Sequence, residues 1–355
     1  MDEDEDDIWS VTIDGQGRIE GSVGASDTSL AVWDNFVSIR RSELPAMRTE
    51  VQRSAWPLAA QSFWLPADAT PTSPLEDLAS RIFEFHTAGA KINRAASGAE
   101  WWSNVSRSEM IRSHGDINMH FDKDEKAFAE YGLVVSPLLA TVTYLSDAGA
   151  STIVAPHTVL CAATFEYKRE AGEPAAMIVP PKVGRHLRFD GRWLHGAPAS
   201  YMPPAAAPYE RVTFCVNIWI GHKPGRCVRF PADAAPTSAW IAPRLRLGMA
   251  RGAAAQREAR EAKITRVRCD SGCLASRDTH HVLRLEQTEH THELLLPLPR
   301  AFDGTAGGRS GREAAHRNGQ LLMLEGEGIK LQRAAIESDA AESDEAARKP
   351  KKQRV

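Results

Sequence analysis

Apolar residues in the middle of the chain recur at every second position, which is the period of a β-strand. The pattern is clearest in residues 211–220. One face of that segment carries the apolar side chains Val212, Phe214, Val216, Ile218 and Ile220. The other face carries Arg211, Thr213, Cys215, Asn217 and Trp219. This alternation predicts a strand with one face in an apolar core and a mostly polar opposite face.

Shorter β-rich runs lie upstream and are separated by turn-forming residues. They occupy residues 100–102, 139–145, 151–154 and 186–189. Several short strands divided by turns are typical of a sandwich or barrel, and not of a parallel sheet with crossover helices. We therefore predict a mainly β fold with flanking helices. Trp101 and Trp102 are expected to pack within a strand, and a place in a substrate channel is the other interpretation.

Helical patterns flank this region. Ser73 can cap a helix that begins with Pro74, and Glu76 can complete a capping box. Leu75, Leu78, Ile82 and Phe85 follow at helical spacing, and Gly89 is a plausible stop. Residues 124–131 suggest a short helix, and the charged, Ala-rich residues 251–263 suggest another.

These patterns divide the chain into four parts. Residues 1–70 form an N-terminal region with an acidic, disordered start, and residues 71–225 form the β core. Residues 226–335 are a C-terminal helical and β extension, with strands expected near 282–285 and 294–298. Residues 336–355 are a disordered charged tail, because such a segment cannot bury enough apolar surface to become ordered.

Composition narrows the possible functions. The 355 residues are 43% hydrophobic and 25% charged, with a formal net charge of −3, which does not fit a dedicated nucleic-acid binder. The sequence contains no run of 18 apolar residues, so it does not predict a transmembrane helix. The five cysteines do not suggest a disulfide scaffold. The acidic N-terminus lacks the features of a targeting signal, so we expect a cytoplasmic or nuclear protein, and the basic residues 348–354 leave the nucleus open.

His120-Phe121-Asp122 is the first candidate for chemistry. Residues two apart on a strand share a face, so this imidazole and this carboxylate can meet one metal ion. His114 and Asp116 have the same spacing, but Gly115 between them suggests a turn. We therefore prefer His120 and Asp122.

A third metal ligand is predicted downstream. His195 follows a predicted strand and an Asp-Gly turn, where the mouth of a barrel can present it to a metal. His186 is its rival, but it lies within the strand and is interpreted as a core or surface residue. On the polar face of the later strand, Arg211 requires an anion, and Thr213 can donate a second hydrogen bond to the same group.

Four short segments, in this order, carry a family resemblance: His120-Phe-Asp122, Thr143-Tyr-Leu145, Leu194-His195-Gly196 and Arg211-Val-Thr213. The region of about residues 95–225 resembles the 2-oxoglutarate/Fe(II)-dependent dioxygenase superfamily, in its prolyl-hydroxylase-like branch. The resemblance implies a double-stranded β-helix, or jelly-roll, core. It implies that His120, Asp122 and His195 are the catalytic ligands of Fe(II). It further implies that Arg211, Thr213 and Tyr144 bind 2-oxoglutarate.

The reaction implied by this resemblance is hydroxylation or demethylation, with O2 as the other cosubstrate and release of succinate and CO2. Arg211 follows His195 by 16 positions, more than in many members of the family. Two alternatives remain: a non-catalytic β-helix binding module, and a cupin-like metal enzyme that does not use 2-oxoglutarate. The substrate is unidentified; a protein side chain or a small molecule is favoured over nucleic acid, and no membrane partner is expected.

Overall fold

The computed structural model describes residues 19, 27–38, 42, 44–55, 62–107, 117–161, 166–198, 210–231, 246–247, 260–268, 280–287, 290–297, 321–325 and 330–333. The helices in these residues are α1 Leu44–Ala55, α2 Pro74–His86 and α3 Glu125–Tyr131. The strands are β1 Ala31–Asp34, β2 Val37–Ser38, β3 Phe63–Pro66, β4 Gly98–Arg107, β5 Ile117–His120, β6 Leu139–Tyr144, β7 Thr152–Ala155, β8 His157–Cys161, β9 Glu166–Arg169, β10 Ala176–Val179, β11 His186–Asp190, β12 Leu194–Ala197, β13 Glu210–Trp219, β14 Arg246–Leu247, β15 Arg260–Glu261, β16 Ile264–Arg268, β17 His280–Gln287, β18 His290–Pro297, β19 Leu321–Glu325 and β20 Lys330–Arg333.

Two sheets form the body of the described structure. The major sheet has the strand order β15-β1-β11-β6-β13-β4-β3, and the minor sheet has the order β16-β19-β10-β7-β12-β5. Their strand pairs are antiparallel, apart from the parallel pair β16 and β19. Val142 and Tyr144 of the major sheet share one apolar cluster with Val154 and Met177 of the minor sheet. The two sheets therefore pack as a sandwich, and the predicted mainly β fold with flanking helices is confirmed.

The long strand β13 has the alternation predicted for it. Val212, Phe214 and Val216 are buried in the cluster that also holds Leu78 and Ile82 of α2. This face of the major sheet is thus covered by helix. The opposite face of β13, which begins with Arg211, is turned toward the minor sheet.

Helix α2 begins as its sequence predicts, with one difference at its first turn. The Ser73 hydroxyl accepts the Glu76 backbone N–H at 3.2 Å, as an N-cap residue does. The Glu76 carboxylate instead accepts the backbone N–H of Thr72 at 2.7 Å, one residue before the expected partner. The last helical residue is His86, ahead of Gly89, whose φ of +81° favours glycine.

The two sheets recruit strands from outside residues 71–225. Strands β1 and β3 come from the N-terminal region, and β15, β16 and β19 come from the C-terminal region. Arg260 and Glu261, at the end of the segment predicted as an Ala-rich helix, form β15 because their backbone pairs with Trp33 and Asp34 of β1. Residues 251–259 lie outside the described residues.

The C-terminal extension also contains a separate small sheet. Strands β17 and β18 contain the strands expected near residues 282–285 and 294–298. They pair with each other as an antiparallel hairpin, and β20 pairs with β18. The acidic start at 1–7 and the charged tail at 336–355 lie outside the described residues. Among the helices that the structure describes, none has the length and apolarity needed to cross a membrane.

A buried histidine pair joins α2 to the major sheet. The Nε2 atoms of His86 and His186 lie 2.9 Å apart, and Nδ1 of His186 lies 2.8 Å from the Thr143 hydroxyl. The His186 ring stacks on Phe36, with ring centroids 4.0 Å apart. Burial, together with nearby Arg188, lowers the pKa of His186 to about 3, and burial also holds the pKa of His86 well below its ordinary value. Both rings are therefore neutral in the folded protein near pH 7.

We predict that this pair makes the folded state sensitive to acid. The pKa of each ring is depressed in the folded state, whereas an unfolded histidine titrates near about 6.5. The contribution of the neutral rings to the free energy of unfolding is therefore fully present above the pKa of the unfolded histidine. It declines as the pH falls below that value, by up to about 1.4 kcal/mol per pH unit for each histidine. Urea unfolding at several pH values between about 7.5 and 5 measures this slope.

His157 and His195 are also buried with lowered pKa values, so the test is a comparison of slopes. His86→Gln keeps an N–H that can donate to His186 but removes one titrating ring. The slope of its free energy of unfolding against pH should be smaller than that of the native protein. The difference should correspond to about one proton fewer taken up on unfolding. Equal slopes would show that the pair does not control acid stability.

Candidate metal centre

His120 and His195 are brought together by the pairing of two adjacent strands. Strand β5 is the edge of the minor sheet, and its antiparallel pairing with β12 sets His120 directly opposite His195. Met119 and Phe121 are buried in an apolar cluster on the outer face of this sheet. Because neighbouring residues alternate in direction, His120 and Asp122 face the other way, as the sequence predicted.

The three predicted metal ligands form one compact group. Nε2 of His120 lies 3.6 Å from Oδ1 of Asp122, and Nε2 of His195 lies 3.5 Å from Oδ2 of the same carboxylate. One ligand atom from each residue lies within 4.8 Å of the other two. His195 is buried, with 8% of its side chain exposed, whereas 41% of the His120 side chain is exposed. One side of the group therefore faces an opening.

The tautomer of both histidines is set by the backbone. Nδ1 of His120 donates to the Asn118 carbonyl at 2.7 Å, and Nδ1 of His195 donates to the Trp193 carbonyl at 2.9 Å. A carbonyl can only accept, so in the neutral form of each ring the proton is on Nδ1 and the Nε2 lone pair is free for a metal. Burial lowers the pKa of His195 to about 4, although Asp122 opposes the shift. This ring is therefore neutral at pH 7, as metal binding requires.

The rival residues lie elsewhere. His186 is on the opposite face of the major sheet, in the buried pair with His86, and is a core residue as expected. His114 and Asp116 lie outside the described residues.

Arg211 lies on the inner face of β13 and is 3% exposed. Its guanidinium donates to the Ala150 carbonyl at 3.0 Å, to Thr152 Oγ1 at 3.0 Å and to Thr213 Oγ1 at 3.3 Å. A guanidinium has five N–H groups, and these three hydrogen bonds to described residues use three of them. No carboxylate of the described residues pairs with this charge. Within the described structure, the site therefore has a buried cation without an anionic partner.

Gly149 makes room for this arginine. A Cβ atom at Gly149 would lie 2.4 Å from Cβ of Arg211, and its φ of +105° also favours glycine.

Tyr144 lies behind Arg211 and does not line the cavity. Its Oη lies 2.7 Å from Thr152 Oγ1 and 3.2 Å from the Val179 carbonyl, and the side chain is fully buried. Its ring centroid is 5.7 Å from the guanidinium carbon of Arg211. Tyr144 therefore contacts Arg211 and Thr152, and Thr152 takes the place on the cavity wall that the sequence suggested for the tyrosine.

One cavity connects these parts. It lies between the two sheets, and has a volume of about 200 Å³. Its lining includes the three metal-ligand candidates together with Arg211 and Thr213. Sequence reasoning did not identify Thr152, Asn104, Cys215 or Asn217 as lining residues, and it favoured strand packing for Trp102, which also lines the cavity. Cys215 and Asn217 had one signal, since they share the polar face of the alternating strand with Arg211.

Searches against known proteins give likenesses in structure only. No family model matches this chain, and no curated protein matches it. An oxidoreductase of the 2OG-Fe(II) oxygenase family from Burkholderia pseudomallei aligns at 12% identity and a TM-score of 0.32, covering 57% of this chain and 90% of the other. A prolyl-4-hydroxylase from Pseudomonas putida aligns at 12% identity and a TM-score of 0.30, covering 54% and 85%.

HygX from Streptomyces hygroscopicus, crystallised with nickel and 2-oxoglutarate, also aligns at 12% identity and a TM-score of 0.30, covering 57% of this chain and 85% of HygX. At TM-scores of this size these likenesses carry no weight for function. The function of this chain is inferred from its own residues.

Proposed function

We propose that this protein is a dioxygenase that uses Fe(II), 2-oxoglutarate and O2 to hydroxylate or demethylate a substrate, releasing succinate and CO2. One observation carries the proposal. A His-Asp-His group and a buried arginine without an acidic partner among the described residues line the same cavity. We further propose that the sandwich is a double-stranded β-helix.

The donor set fits ferrous iron. Two imidazole nitrogens and one carboxylate oxygen are the ligands of many non-haem iron oxygenases, and they leave coordination positions open. His120, Asp122 and His195 would hold the ion. Bound there, iron and its cosubstrate would supply the oxidising chemistry needed at a C–H bond. The backbone carbonyls of Asn118 and Trp193 keep both imidazoles in the orientation that this binding requires.

Arg211 would bind the far carboxylate of 2-oxoglutarate with the N–H groups that its three hydrogen bonds to described residues leave over. A planar guanidinium pairs with a carboxylate through two parallel hydrogen bonds. Thr213 could donate to the same carboxylate, because its hydroxyl already accepts from Arg211 and keeps its own hydrogen.

Thr152 is a further donor to the same group. Its Oγ1 accepts from Arg211, and the Tyr144 hydroxyl lies within hydrogen-bond distance. When the Tyr144 hydroxyl donates to Oγ1 of Thr152, both lone pairs of that oxygen are used. The Thr152 hydroxyl hydrogen can then be donated to a third group. We infer that Tyr144 orients Thr152 and does not touch the cosubstrate itself.

Arg211 and the three metal-ligand candidates separate this proposal from its two alternatives. A cupin-like enzyme that does not use 2-oxoglutarate has no need of a buried, anion-seeking arginine near the metal. A non-catalytic binding module has no need of an intact set of three ligands with the correct tautomers. These residues favour the dioxygenase.

The direct test is turnover of the cosubstrate. The protein is reconstituted anaerobically with Fe(II) and 2-oxoglutarate, and O2 is then admitted. We expect slow formation of succinate even without a substrate, measured by mass spectrometry against a sample without iron. Bound iron with no succinate would contradict the proposal.

The metal ligands are tested by Asp122→Ala. Loss of the carboxylate that lies between both imidazoles should weaken metal binding by more than about 100-fold. Even the loss of a residue that only hydrogen-bonds to a metal ligand lowers metal affinity by about 10- to 100-fold. Calorimetric titration with Co(II) measures this loss. Asp116→Ala, in the competing His-x-Asp pair, is the matched control and should bind Co(II) normally. The opposite pattern would assign the metal to the other pair.

The cosubstrate site is tested by Arg211→Ala and Arg211→Lys. Removal of a buried charge that pairs with a carboxylate costs about 2–5 kcal/mol. We therefore expect Arg211→Ala to lose at least about 30-fold in affinity for 2-oxoglutarate, while Co(II) binding is retained. Arg211→Lys should fall between, because lysine keeps the charge but not the planar fork.

Arg81→Ala, on the exposed side of α2, is the control for loss of an arginine. Unchanged 2-oxoglutarate affinity in Arg211→Ala would favour the cupin-like alternative.

A further inference from the structure

The cavity has a mouth on one side. Most of its lining residues are buried, among them Arg211, Thr213 and Asn217. The partly exposed ones lie on β4 and on or just after β5: Trp102, Asn104, Ile117, His120 and Asp122. Strand β5 is the edge of the minor sheet, and β4 lies next to the edge of the major sheet. The opening therefore lies between β4 and β5, beside His120.

Among the residues that the structure describes, the metal-ligand candidates are the charged side chains at the mouth. In the described part of the chain, the remaining mouth residues are Trp102, Asn104 and Ile117, and the wall behind them holds Cys215 and Asn217. The other charged lining residue is Arg211, which the proposed function assigns to the cosubstrate. A charged group entering here would lose its hydration without gaining a counter-charge from the described mouth residues, which is costly.

Trp102 and Asn104 lie side by side on the same face of β4, at the mouth of the cavity. They are two residues apart on β4, so both face the cavity, and they lie opposite Cys215 and Thr213 of β13. Trp102 presents a large, partly exposed aromatic surface. Among the described residues, the Asn104 carboxamide has one hydrogen-bond partner, the Cys215 sulfur at 3.8 Å. This bond uses one N–H, so the other N–H and the carbonyl oxygen of Asn104 have no partner among the described residues.

We propose that Trp102 and Asn104 recognise the substrate, and that the part of the substrate entering the cavity is uncharged. It presents an apolar ring or chain to the indole of Trp102 and an amide or hydroxyl group to the carboxamide of Asn104. This inference rests on the proposed function, since it treats Arg211 as occupied by 2-oxoglutarate. It adds the class of substrate, which the metal ligands do not indicate.

Four probes that share one ring test the class of substrate: benzamide, benzyl alcohol, benzoate and benzylammonium. Their binding is measured by ligand-observed NMR on the full chain with Zn(II), which has no redox chemistry, and 2-oxoglutarate. We expect benzamide and benzyl alcohol to bind at least about fivefold more tightly than the two charged probes. A charged probe that binds as tightly as benzamide would overturn the inference.

Variants at the mouth test the two residues. Trp102→Ala should weaken benzamide binding by about tenfold, and Trp102→Phe should restore most of it because the aromatic surface remains. Asn104→Ala should weaken benzamide several-fold, while Asn93→Ala, on an exposed loop, should not. Thermal unfolding checks that each variant folds. Full affinity in Trp102→Ala and Asn104→Ala would overturn the inference.

The same samples separate the two proposals. Binding of Zn(II) and 2-oxoglutarate without binding of benzamide or benzyl alcohol would reject the mouth residues and leave the dioxygenase proposal standing. Probe binding that depends on Trp102, in a protein that does not bind 2-oxoglutarate, would reject the dioxygenase proposal instead.

Discussion

The antiparallel pairing of β5 with β12 is the constraint on which the site depends. It sets His120 opposite His195, which is 75 positions later in the chain, and turns both imidazoles to the inner face. A shift of one residue in this register would turn one histidine into the outer apolar cluster. Gly196 permits the close approach, because a Cβ atom there would lie 2.7 Å from the Asn118 carbonyl oxygen. The same carbonyl oxygen accepts the hydrogen bond from Nδ1 of His120. The close packing of the two strands and the orientation of the His120 ring therefore depend on the same backbone group.

The major sheet supports the other half of the site through β13. Its outer face is apolar and packs under α2, which fixes the strand in place. Its inner face can then hold Arg211 as a buried cation supported by two hydroxyls and one backbone carbonyl. Neutral partners satisfy part of the guanidinium and leave its charge uncompensated by any described residue. Burial has a different effect on His195, because it keeps the imidazole neutral. A neutral imidazole can bind a metal ion, and a charged guanidinium can bind an anion.

Local patterns were sufficient for several elements. Helix α2 could be predicted because its cap and its apolar spacing lie within one short segment, and β13 could be predicted because its alternation spans ten residues. The pairing of β15 with β1 could not, since Arg260 and Glu261 lie in a charged, Ala-rich segment whose propensity is helical. Here the backbone hydrogen bonds of a distant strand outweigh local preference. Thr152 was missed for a related reason, because its role comes from Tyr144 and Arg211 lying beside it.

By itself, the sequence determined the alternation of the strands and the set of residues able to bind a metal or an anion, since both follow from residue type and spacing. Only the tertiary structure decided which of these residues meet. It placed His120, Asp122 and His195 within 4.8 Å, moved Tyr144 behind Thr152, and brought Trp102 and Asn104 to the mouth of the cavity. The physical reason is that these contacts join strands far apart in the chain, and sheet register between such strands is set by packing of the whole sandwich.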